Sequence, residues 1–504
     1  HNVPESWYVR EVKGERVLFQ KASNPDLHWH PMVVAGDVLW ENYTIHTSFF
    51  PLDKEKQCGV VFRYKNDRCY YMLGVKQDTA FLKMVKHASA YHKPDEVILA
   101  SGYFPYEEEA RLIATMDVKQ DQIVAHFEHG PRFQITDSTF SRGKMGFLAD
   151  GPAYFSSVEI TAQTGDIAKY KRLRAEADQM EQDLMANNPK PVKWKSMSTR
   201  GFGVGRNLRF GDLDSDGEID VLIGQVVHHG HKDRNTELSC LTAMTFDGEV
   251  LWQKGKPDLW KDHLTSDVAF QIHDLDRDGQ NEVIYCMNHM MVVADGKTGK
   301  TKYQAPTPLT PGGKPTAAGQ NIFERILGDC LYFCDLQGRG YDGDFIIKDR
   351  YLHLWAYNDK LELLWENDCR TGHYPYAYDV DNDGKDELLM GYTLFDHNGS
   401  KLWTLDESIQ DHADGVAIVQ FREDQEPWLL CSASDEGMLF TDMEGSILKH
   451  HYIGHVQNPA IANFRDDKPG LEAVSINFWG NQGIIHLYDA DGNIYHDFEP
   501  NQYG

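Results

Sequence analysis

The sequence predicts an all-β protein with two domains joined by one helix. Residues 1–163 are short runs of β-branched and aromatic residues split by polar turns, which is the pattern of short strands. Residues 192–504 repeat one strand-rich unit at intervals of about forty to sixty residues. Between them, only residues 164–191 contain apolar side chains at helical spacing. A chain of 504 residues is also too long for one ordinary domain.

The N-terminal part is predicted to be a β-sandwich or barrel. The predicted strands lie at 40–49, 59–64, 70–75, 81–85, 143–148 and 153–160. Many short strands with regular turns are typical of these architectures. We expect most of the aromatic side chains to lie in the core, and some to be available as a platform for a sugar.

The order of motifs in this part resembles the concanavalin A-like, or laminin-G-like, jelly roll. The motifs are W-x-N-Y-x-I from Trp40, G-V-V-F-R-Y from Gly59, Y-Y-x-L from Tyr70, G-x-x-G-F from Gly143 and F-S-S-V-E-I from Phe155. The resemblance implies a jelly-roll domain over residues 1–163. Modules of this kind often accompany carbohydrate enzymes.

Residues 164–191 are predicted to form a linker that contains a helix. Ile167, Tyr170, Leu173, Ala177, Met180 and Leu184 recur at three- and four-residue steps and give one apolar face. Thr164 or Asp166 can cap the start, and Asn188 with Pro189 ends the helix. We expect this helix to pack through its apolar face.

From residue 192 onward, each unit has two apolar strands around an acidic turn, then a loop, then a strand, an Asp-Gly-type turn and a strand with Trp or Tyr. Six such units are visible. Four antiparallel strands per unit, repeated at this period, predict a β-propeller of about six to eight blades.

The acidic turn follows the pattern D-x-D-x-D-G-x-x-[DE] in three units. Alternating carboxylates around a glycine can wrap oxygen atoms around calcium. Position 12 of the first turn is Ile223 and its flanks resemble strands, so these turns are not EF-hands. The predicted metal residues are Asp212, Asp214, Asp216, Glu218 and Asp220; Asp274, Asp276, Asp278, Gln280 and Glu282; and Asp379, Asp381, Asp383, Lys385 and Glu387. The third unit keeps Asp335 but has Arg339 where a ligand belongs, and the fifth and sixth units have lost the pattern.

Composition excludes several classes of partner. The net charge of −27 disfavours nucleic acid and anionic membrane surfaces. The chain has no run of ~18 apolar residues, so no membrane span is predicted. Eight cysteines lie mostly in apolar runs without a C-x-x-C pair, which predicts unpaired buried thiols rather than disulfides or zinc ligands. Unpaired thiols suit a reducing compartment and calcium turns suit the exterior, so the localisation stays open.

The repeated calcium units resemble FG-GAP-type propellers, and more particularly the calcium-dependent propeller of rhamnogalacturonan lyases (polysaccharide lyase family 11). The residues behind this resemblance are the three turns that begin at Asp212, Asp274 and Asp379, and the stretch W-G-N-Q-G-I-I-H-L-Y-D-A-D-G from Trp479. The resemblance covers about 300 residues. It implies a lyase that cleaves a rhamnose- and uronate-containing acidic glycan by β-elimination.

Propeller geometry sorts the loops into two rims. If the calcium turns join the first and second strands of each blade, they lie on one rim, and the loops between strands two and three and between blades lie on the other. That second set is rich in imidazoles, guanidiniums and aromatics, which suits an anionic sugar. Its candidate residues are His228, His229, Lys232, Arg234, His289, Arg325, Arg350, Arg370, His373, Tyr374, Tyr376, His412, His455, Trp479 and Asn481.

Elimination needs a base of near-neutral pKa, a cation for the uronate carboxylate and an acid for the leaving oxygen. We predict the base among His228, His229, His289 and His373, the carboxylate ligand as Arg325 or Arg350, and the proton donor as Tyr374 or Tyr376. The remaining candidates, namely Lys232, Arg234, Arg370, His412, His455, Trp479 and Asn481, are predicted to bind substrate.

Two other functions stay open. A glycoside hydrolase would use two facing carboxylates, for which Asp267, Asp349, Asp411, Asp414 and Glu436 lie in suitable loops. A non-catalytic carbohydrate-binding protein would need only the stacking and polar groups. Each candidate also has a plainer explanation: the histidines at 228, 229 and 231 as a polar loop or a metal site, the arginines as partners of structural acids, and Trp479 as a cap.

Overall fold

The computed structural model describes residues 6–24, 30–86, 95–199, 202, 207–229, 235–257, 267–311, 322–477 and 483–499. These residues form β-strands and a single α-helix. The predicted all-β class with one helix is therefore confirmed.

Before the helix, the described strands form two antiparallel sheets. They are β1 (Trp7–Val12), β2 (Glu15–Gln20), β3 (Met32–Ala35), β4 (Tyr43–Pro51), β5 (Cys58–Asn66), β6 (Cys69–Lys76), β7 (Thr79–Lys86), β8 (Asp95–Tyr103), β9 (Leu112–Lys119), β10 (Gln122–Phe127), β11 (Arg132–Thr136), β12 (Lys144–Ala149) and β13 (Ala153–Thr161). One sheet has the order β1-β2-β13-β4-β9-β10-β11, and the other β3-β12-β5-β6-β7-β8.

The core of this N-terminal part lies between the two sheets. Side chains alternate along each strand, so every second residue of β4 and β9 faces the other sheet. Aromatic rings dominate the contact. The ring of Phe155 lies 4.4 Å from that of Phe147 and 5.8 Å from that of Phe49, centroid to centroid. Close packing of these fully buried rings is the main stabilising contribution of the sandwich.

A charged network lies on the six-stranded sheet, away from this core. The imidazole of His30 lies 2.8 Å from Asp150 and 3.2 Å from Glu96, and the Lys83 ammonium, only 2% exposed, lies 2.9 Å from Glu96. Burial lowers the pKa of His30, but its bonds to Asp150 and Glu96 outweigh burial and raise it. Burial raises the pKa of Glu96, but His30 and Lys83 lower it to about 2.

This network predicts a pH optimum for the stability of the sandwich. The contribution of His30 is complete below its ordinary pKa near 6.5 and is lost as pH rises through the raised value. The contribution of Glu96 is complete above 4.5 and is lost as pH falls towards about 2. We therefore expect greatest stability between about pH 4.5 and 6.5 from these two groups.

In His30→Gln, the fall in unfolding temperature above about pH 6.5 should disappear, while His129→Gln, at an exposed site, should keep it. An unchanged alkaline limb in His30→Gln would contradict the assignment.

The helix α1 (Thr164–Asn187) has the predicted bounds, but its environment differs from the prediction. No residue of the helix is buried, and Met180 and Leu184 are exposed, so the expected packing of the apolar face is wrong. Its first half is held by polar contacts, such as Tyr170 to Asp37 and Asp166 to Asn42. The N-terminal capping prediction is also wrong, because Gln163 is the N-cap residue and makes no side-chain bond, whereas the predicted end of the helix at Asn188 is confirmed. No helix in the described ranges has the length and apolarity to cross a lipid bilayer.

After the helix, the described strands form six four-stranded antiparallel sheets, each with its strands in chain order. Sheet 1 is β14 (Leu208–Gly211), β15 (Asp220–His228), β16 (Thr236–Thr245) and β17 (Val250–Gly255); sheet 2 is β18 (Phe270–His273), β19 (Glu282–Met287), β20 (Met290–Asp295) and β21 (Thr301–Pro306); sheet 3 is β22 (Asp329–Cys334), β23 (Asp344–Lys348), β24 (His353–Asn358) and β25 (Leu363–Asp368). Sheet 4 is β26 (Tyr376–Tyr378), β27 (Glu387–Met390), β28 (Thr393–Phe395) and β29 (Lys401–Thr404); sheet 5 is β30 (Gly415–Val419), β31 (Trp428–Ser432), β32 (Met438–Thr441) and β33 (Ile447–His451); sheet 6 is β34 (Val456–Ala462), β35 (Glu472–Asn477), β36 (Ile484–Tyr488) and β37 (Ile494–Phe498).

Consecutive sheets pack face to face through shared apolar clusters and one recurring hydrogen bond. The indole of Trp365 on β25 donates to His397 O in sheet 4, at 2.9 Å, and that of Trp403 on β29 donates to Met443 O in sheet 5, at 2.8 Å. Gly399 and Gly445 lie against these rings with positive φ, and a Cβ on either would approach within 2.7 Å of the indole. The aromatic residue and the Asp-Gly-type turn seen in the sequence are therefore the two halves of one contact between sheets.

All eight cysteines are buried and none forms a disulfide, as predicted. Burial raises the pKa of the Cys286 thiol to about 12, and it raises those of Cys58, Cys334 and Cys431 well above the ordinary value. These thiols pack as small apolar side chains.

The N-terminal sandwich touches the end of sheet 6. The hydroxyl of Tyr64 donates to Glu499 at 2.9 Å, and Lys65 pairs with Asp497 at 2.6 Å. Tyr64 lies on the face of the six-stranded sheet that points away from the sandwich core, and that face is also buried. The two parts of the chain are thus in direct contact.

Candidate functional site

The three predicted calcium turns have the same backbone geometry. In sheet 1, the carboxylate of Asp212 accepts the Gly217 N–H at 2.9 Å, and Asp220 accepts the Leu213 N–H at 2.9 Å. In sheet 2, Asp274 and Glu282 accept the corresponding bonds, as Asp379 and Glu387 do in sheet 4. These bonds close each loop and aim its carboxylates inward.

Carboxylate oxygens converge in these turns as a hard cation requires. One oxygen each from Asp212, Asp214 and Asp220 lie within 4.8 Å of one another, and the same holds for Asp274, Asp276 and Glu282. The middle acids Asp216, Asp278 and Asp383 accept the N–H two residues on, from Glu218, Gln280 and Lys385. An ammonium has no lone pair, so Lys385 can offer a cation only its backbone carbonyl.

A second cluster brings together histidines and aspartates from four sheets. We call it the histidine–aspartate cluster; it contains His373, His412, His455, Asp267, Asp411, Asp414 and Asp435. Asp414 lies at its centre, with one oxygen 3.4 Å from His373 Nε2 and the other 3.2 Å from His455 Nε2. Asp267 bonds the other ring nitrogen of His373. Hence each of these two imidazoles lies between carboxylates.

Short loops before the first strands of the sheets position this cluster. His373 precedes β26, and its N–H donates to Ala413 O at 3.0 Å. At Gly372 the backbone has φ of 60°, and a Cβ there would lie 2.2 Å from Ala413 O. Only glycine fits such a close approach. Asp414 precedes β30 and is tied by its N–H to Ser432 O at 2.8 Å.

Aromatic and cationic residues complete the cluster from the remaining sheets. The ring of Tyr351, in the β23–β24 loop of sheet 3, stacks on His412 at 4.7 Å, and its hydroxyl lies 3.3 Å from His373 Nε2. The Arg350 guanidinium lies 4.8 Å from the Tyr351 ring centroid. From sheet 1, Arg209 reaches the hydroxyl of Tyr374 at 3.5 Å. Residues of all six sheets therefore meet at this place.

The charges in the cluster are strongly coupled. Burial lowers the pKa of His455, but Asp414 and Asp435 raise it to about 9, so this imidazole is a cation at neutral pH. Burial raises the pKa of Asp411, but the bond from His412 lowers it to about 2. Burial likewise raises the pKa of Asp414, and the three histidines lower it below its usual range. The burial of Tyr351 and Tyr374 raises the pKa of both phenols, which keeps them protonated.

Part of the cluster has the donor set of a divalent-cation site. One atom each from His373, His412 and Asp414 lie within 4.8 Å of one another. Two imidazoles and a carboxylate are ligands that several divalent metals accept. The same three residues can therefore hold a cation or act on a substrate directly.

Other predicted residues gather around Phe323 instead. The ring of His229 lies 5.3 Å from Phe323 and that of His289 5.2 Å, centroid to centroid. His229 also pairs with Glu237 at 2.8 Å, and His228 bonds the hydroxyl of Thr236 at 2.8 Å. The Arg325 guanidinium donates to Thr307 O nearby. The structure thus divides the predicted base candidates into two groups and leaves only His373 in the histidine–aspartate cluster.

The remaining predicted residues lie elsewhere. Tyr376 is on β26 and packs against the apolar clusters between sheets 4, 5 and 6. Arg370 donates to Gln410 O, beside Asp411. Lys232, Arg234, Trp479 and Asn481 lie outside the described residues.

Two members of the site had no predicted role. Tyr351 directly follows the predicted residue Arg350 in the β23–β24 loop. Asp435 lies in the β31–β32 loop of sheet 5, between the second and third strands, so the same rule applied to that sheet would have found it. Asp267, Asp411 and Asp414 entered only as acids of a possible hydrolase.

Comparison with known proteins gives two curated relatives. No family model matches the chain. The chain is 25% identical over 354 residues to the rhamnogalacturonan endolyase YesW of Bacillus subtilis. This alignment covers 56% of this chain and 52% of the relative. It is 26% identical over 255 residues to the rhamnogalacturonan exolyase YesX of the same organism, covering 38% and 39%. The chain thus spans about half, or less, of the relatives it matches. A solved structure of rhamnogalacturonan lyase YesW aligns with 99% of this chain and 76% of that one, at 15% identity and a TM-score of 0.46.

Proposed function

We propose that this protein is a polysaccharide lyase of the rhamnogalacturonan-lyase type. It would cleave a rhamnose- and uronate-containing acidic glycan by β-elimination. The observation that carries the proposal is the histidine–aspartate cluster with Tyr351 and Arg350 beside it, in a chain whose sequence is similar to both an endolyase and an exolyase. The substrate is expected to be a polysaccharide or oligosaccharide.

The proposed architecture is a jelly-roll sandwich followed by a calcium-binding β-propeller with the six sheets as blades. Three features support the propeller. Each sheet has four antiparallel strands in chain order, consecutive sheets share apolar clusters, and loops of all six sheets meet. In particular, the contact between Arg209 of sheet 1 and Tyr374 of sheet 4 fits sheets on opposite sides of a ring. The acidic turns would lie on the rim away from the cluster.

In the proposed reaction, His373 is the base. It would take the proton from C5 of the uronate, the C4–C5 double bond would form, and the C4–O4 bond would break. Asp267 orients the imidazole through one ring nitrogen, as an oriented general base requires. Arg350 would neutralise the uronate carboxylate, which makes the C5 proton more acidic. Tyr374, protonated and in contact with Arg209, would give its proton to the leaving oxygen.

Calcium in the acidic turns would supply structural charge balance and take no part in this chemistry. A cation held by His373, His412 and Asp414 would instead neutralise the substrate carboxylate, and His373 would then be a ligand. The His373→Ala and His412→Ala variants distinguish the two roles of His373, because only the role of a metal ligand also requires His412.

A hydrolase is the second candidate, because the cluster contains four carboxylates. Asp267, Asp411 and Asp414 were predicted for such a function and lie together, whereas Asp349 pairs with His353 at 2.6 Å on another loop. Each carboxylate of the cluster bonds an imidazole, however, and the pKa of Asp411 and that of Asp414 lie below their usual range, whereas glycoside hydrolysis uses a protonated carboxylic acid as its general acid. Elimination is therefore favoured.

The test of the proposal is the absorbance of the unsaturated uronate that elimination creates. Protein with calcium would be incubated with rhamnogalacturonan, and ultraviolet absorbance and reducing ends would be followed together. Both signals should rise in proportion, because each cleavage makes one double bond and one reducing end. Reducing ends without absorbance would replace the lyase with a hydrolase. Binding without either signal would leave a carbohydrate-binding protein.

A further inference from the structure

The acidic turn of sheet 2 contains a lysine ammonium among its carboxylates. Lys302 Nζ lies 2.7 Å from Glu282 Oε1, 3.0 Å from Asp276 Oδ2 and 3.9 Å from Asp278 Oδ2. A calcium ion held by the same oxygens would lie about 2.3–2.6 Å from each of them. The ammonium therefore takes the position between the carboxylates that the ion would need.

The corresponding turn of sheet 3 contains a guanidinium. Its backbone follows the pattern of the other turns, since Asp335 accepts the Gly340 N–H at 2.6 Å as Asp212 accepts that of Gly217. Arg339, at the position of the third aspartate, donates to Asp344 at 2.6 Å and to Asp359 at 3.0 Å. A permanently charged side chain thus balances the acids of this turn.

The turns of sheets 1 and 4 differ. In the part of the chain that the structure describes, no lysine or arginine forms an ion pair with Asp212, Asp214 or Asp220 of sheet 1. In sheet 4, Glu387 is 2% exposed. Lys385 pairs with the third aspartate of this turn, Asp383, at 3.4 Å. Lys297 Nζ reaches the backbone carbonyl of Asp214 at 3.3 Å in sheet 1, and His397 lies near Glu387 in sheet 4. Among the described residues, however, no ammonium or guanidinium pairs with the first, second or last acid of either turn.

The lysine of sheet 2 occupies a position that recurs in every sheet. The fourth strand bulges where it pairs with the third, and one residue is left out of the register. That residue is Leu251, Lys302, Leu364, Leu402, Leu448 and Tyr495 in sheets 1 to 6. In sheet 2 alone it is a cation, and there it reaches the turn.

From this contrast we infer that Lys302 and Arg339 are built-in cations that replace calcium in the turns of sheets 2 and 3. Calcium is taken up by the turns of sheets 1 and 4 only. The Lys302 ammonium must break its bonds to Glu282 and Asp276 before a calcium ion can bind the same carboxylates. For the turn of sheet 2, this inference corrects the expectation drawn from its sequence pattern. It holds whether or not the protein is a lyase.

Two matched variants test the inference by subtraction. Asp214→Ala and Asp276→Ala each remove the second aspartate of a turn, in sheets 1 and 2. Calcium retained per chain would be measured by elemental analysis after dialysis at low free calcium. We expect Asp214→Ala to lose one ion relative to the native protein and Asp276→Ala to lose none. Loss of one ion in Asp276→Ala would overturn the inference.

Exchange of the bulge residues tests it by addition. Lys302→Leu introduces the leucine that sheets 1, 3, 4 and 5 have at this position. It should raise the calcium content by one ion, because all the acids of the turn remain. Leu402→Lys, at a side chain 52% exposed, should lower it by one ion. Leu448→Lys, in a sheet without the acidic turn, is the control and should change nothing. Circular dichroism would establish that each variant is folded. A folded Lys302→Leu with unchanged calcium content would overturn the inference.

Discussion

Replacement of His373 with alanine is expected to reduce the rate of uronate elimination by roughly a hundred- to ten-thousand-fold, the usual effect of removing a general base. The structure gives this residue two features of a base. Its imidazole is oriented by Asp267, and it lies next to Tyr351, whose ring the Arg350 guanidinium contacts. Initial rates from ultraviolet absorbance on rhamnogalacturonan would measure the loss. A His373→Ala variant that keeps near-native kcat would remove this residue from the mechanism.

Comparison with His412→Ala distinguishes a base from a metal ligand. If His373 is the base, His412→Ala should keep most of the activity and both variants should retain all bound metal. If His373, His412 and Asp414 hold a cation, both variants should lose the same metal ion and similar activity. His129→Ala, at a side chain 93% exposed in the sandwich, is the control for both measurements. Its rate and metal content should equal those of the native protein.

Removal of calcium is expected to produce the largest change in stability. A ligand present at a thousand times its Kd stabilises the native state by about 4 kcal/mol per site. For a part of the chain of this size, each kcal/mol corresponds to about 2–4 °C, so chelation should lower the unfolding temperature of the six sheets by about 8–16 °C for each site that empties. Scanning calorimetry with calcium and with a chelator would measure the shift.

Locally, the effect of the chelator should be strongest around the turns of sheets 1 and 4. Amide hydrogen exchange in β14, β15, β26 and β27 should accelerate when calcium is removed, because those strands flank the turns of sheets 1 and 4. Exchange in the core strands of the sandwich should not change. Equal unfolding temperatures with and without calcium would show that the acidic turns are stable without an ion.

Most of the fold could be predicted because its signals are local. Strand alternation and turn residues are read within a few positions, and the acidic motif marks the same turn wherever it occurs. The environment of α1 could not be read in this way. Its apolar spacing predicts a buried face, yet none of its residues is buried and Met180 and Leu184 are exposed. Polar contacts with Asp37, Glu41 and Asn42 hold its first half. Helical periodicity does not specify whether a partner surface exists.

The site was only partly predictable because it is assembled by distant loops. Sorting loops by their predicted rim selected those of Arg350, His373, His412 and His455, which the structure brings near one another. It could not show which of them meet, because contacts such as that between His373 and Asp267 span 106 residues. It also gave His228, His229 and His289 the same weight as His373, although the structure places His229 and His289 beside Phe323 and bonds His228 to Thr236. The residue types alone do not distinguish the histidine–aspartate cluster from the group of histidines near Phe323.

The buried cysteines offer a set of local probes for opening of the individual sheets. A thiol shielded from solvent, with a raised pKa, reacts with an alkylating reagent only when its surroundings open. Cys240 lies in sheet 1, Cys286 in sheet 2, Cys431 in sheet 5, and Cys58 in the sandwich. Mass spectrometry of the labelled peptides would therefore report which sheet loosens first, without introducing any label by mutation. It would also show why the number of unpaired thiols does not identify the compartment: groups that stay covered are insensitive to the redox potential around them.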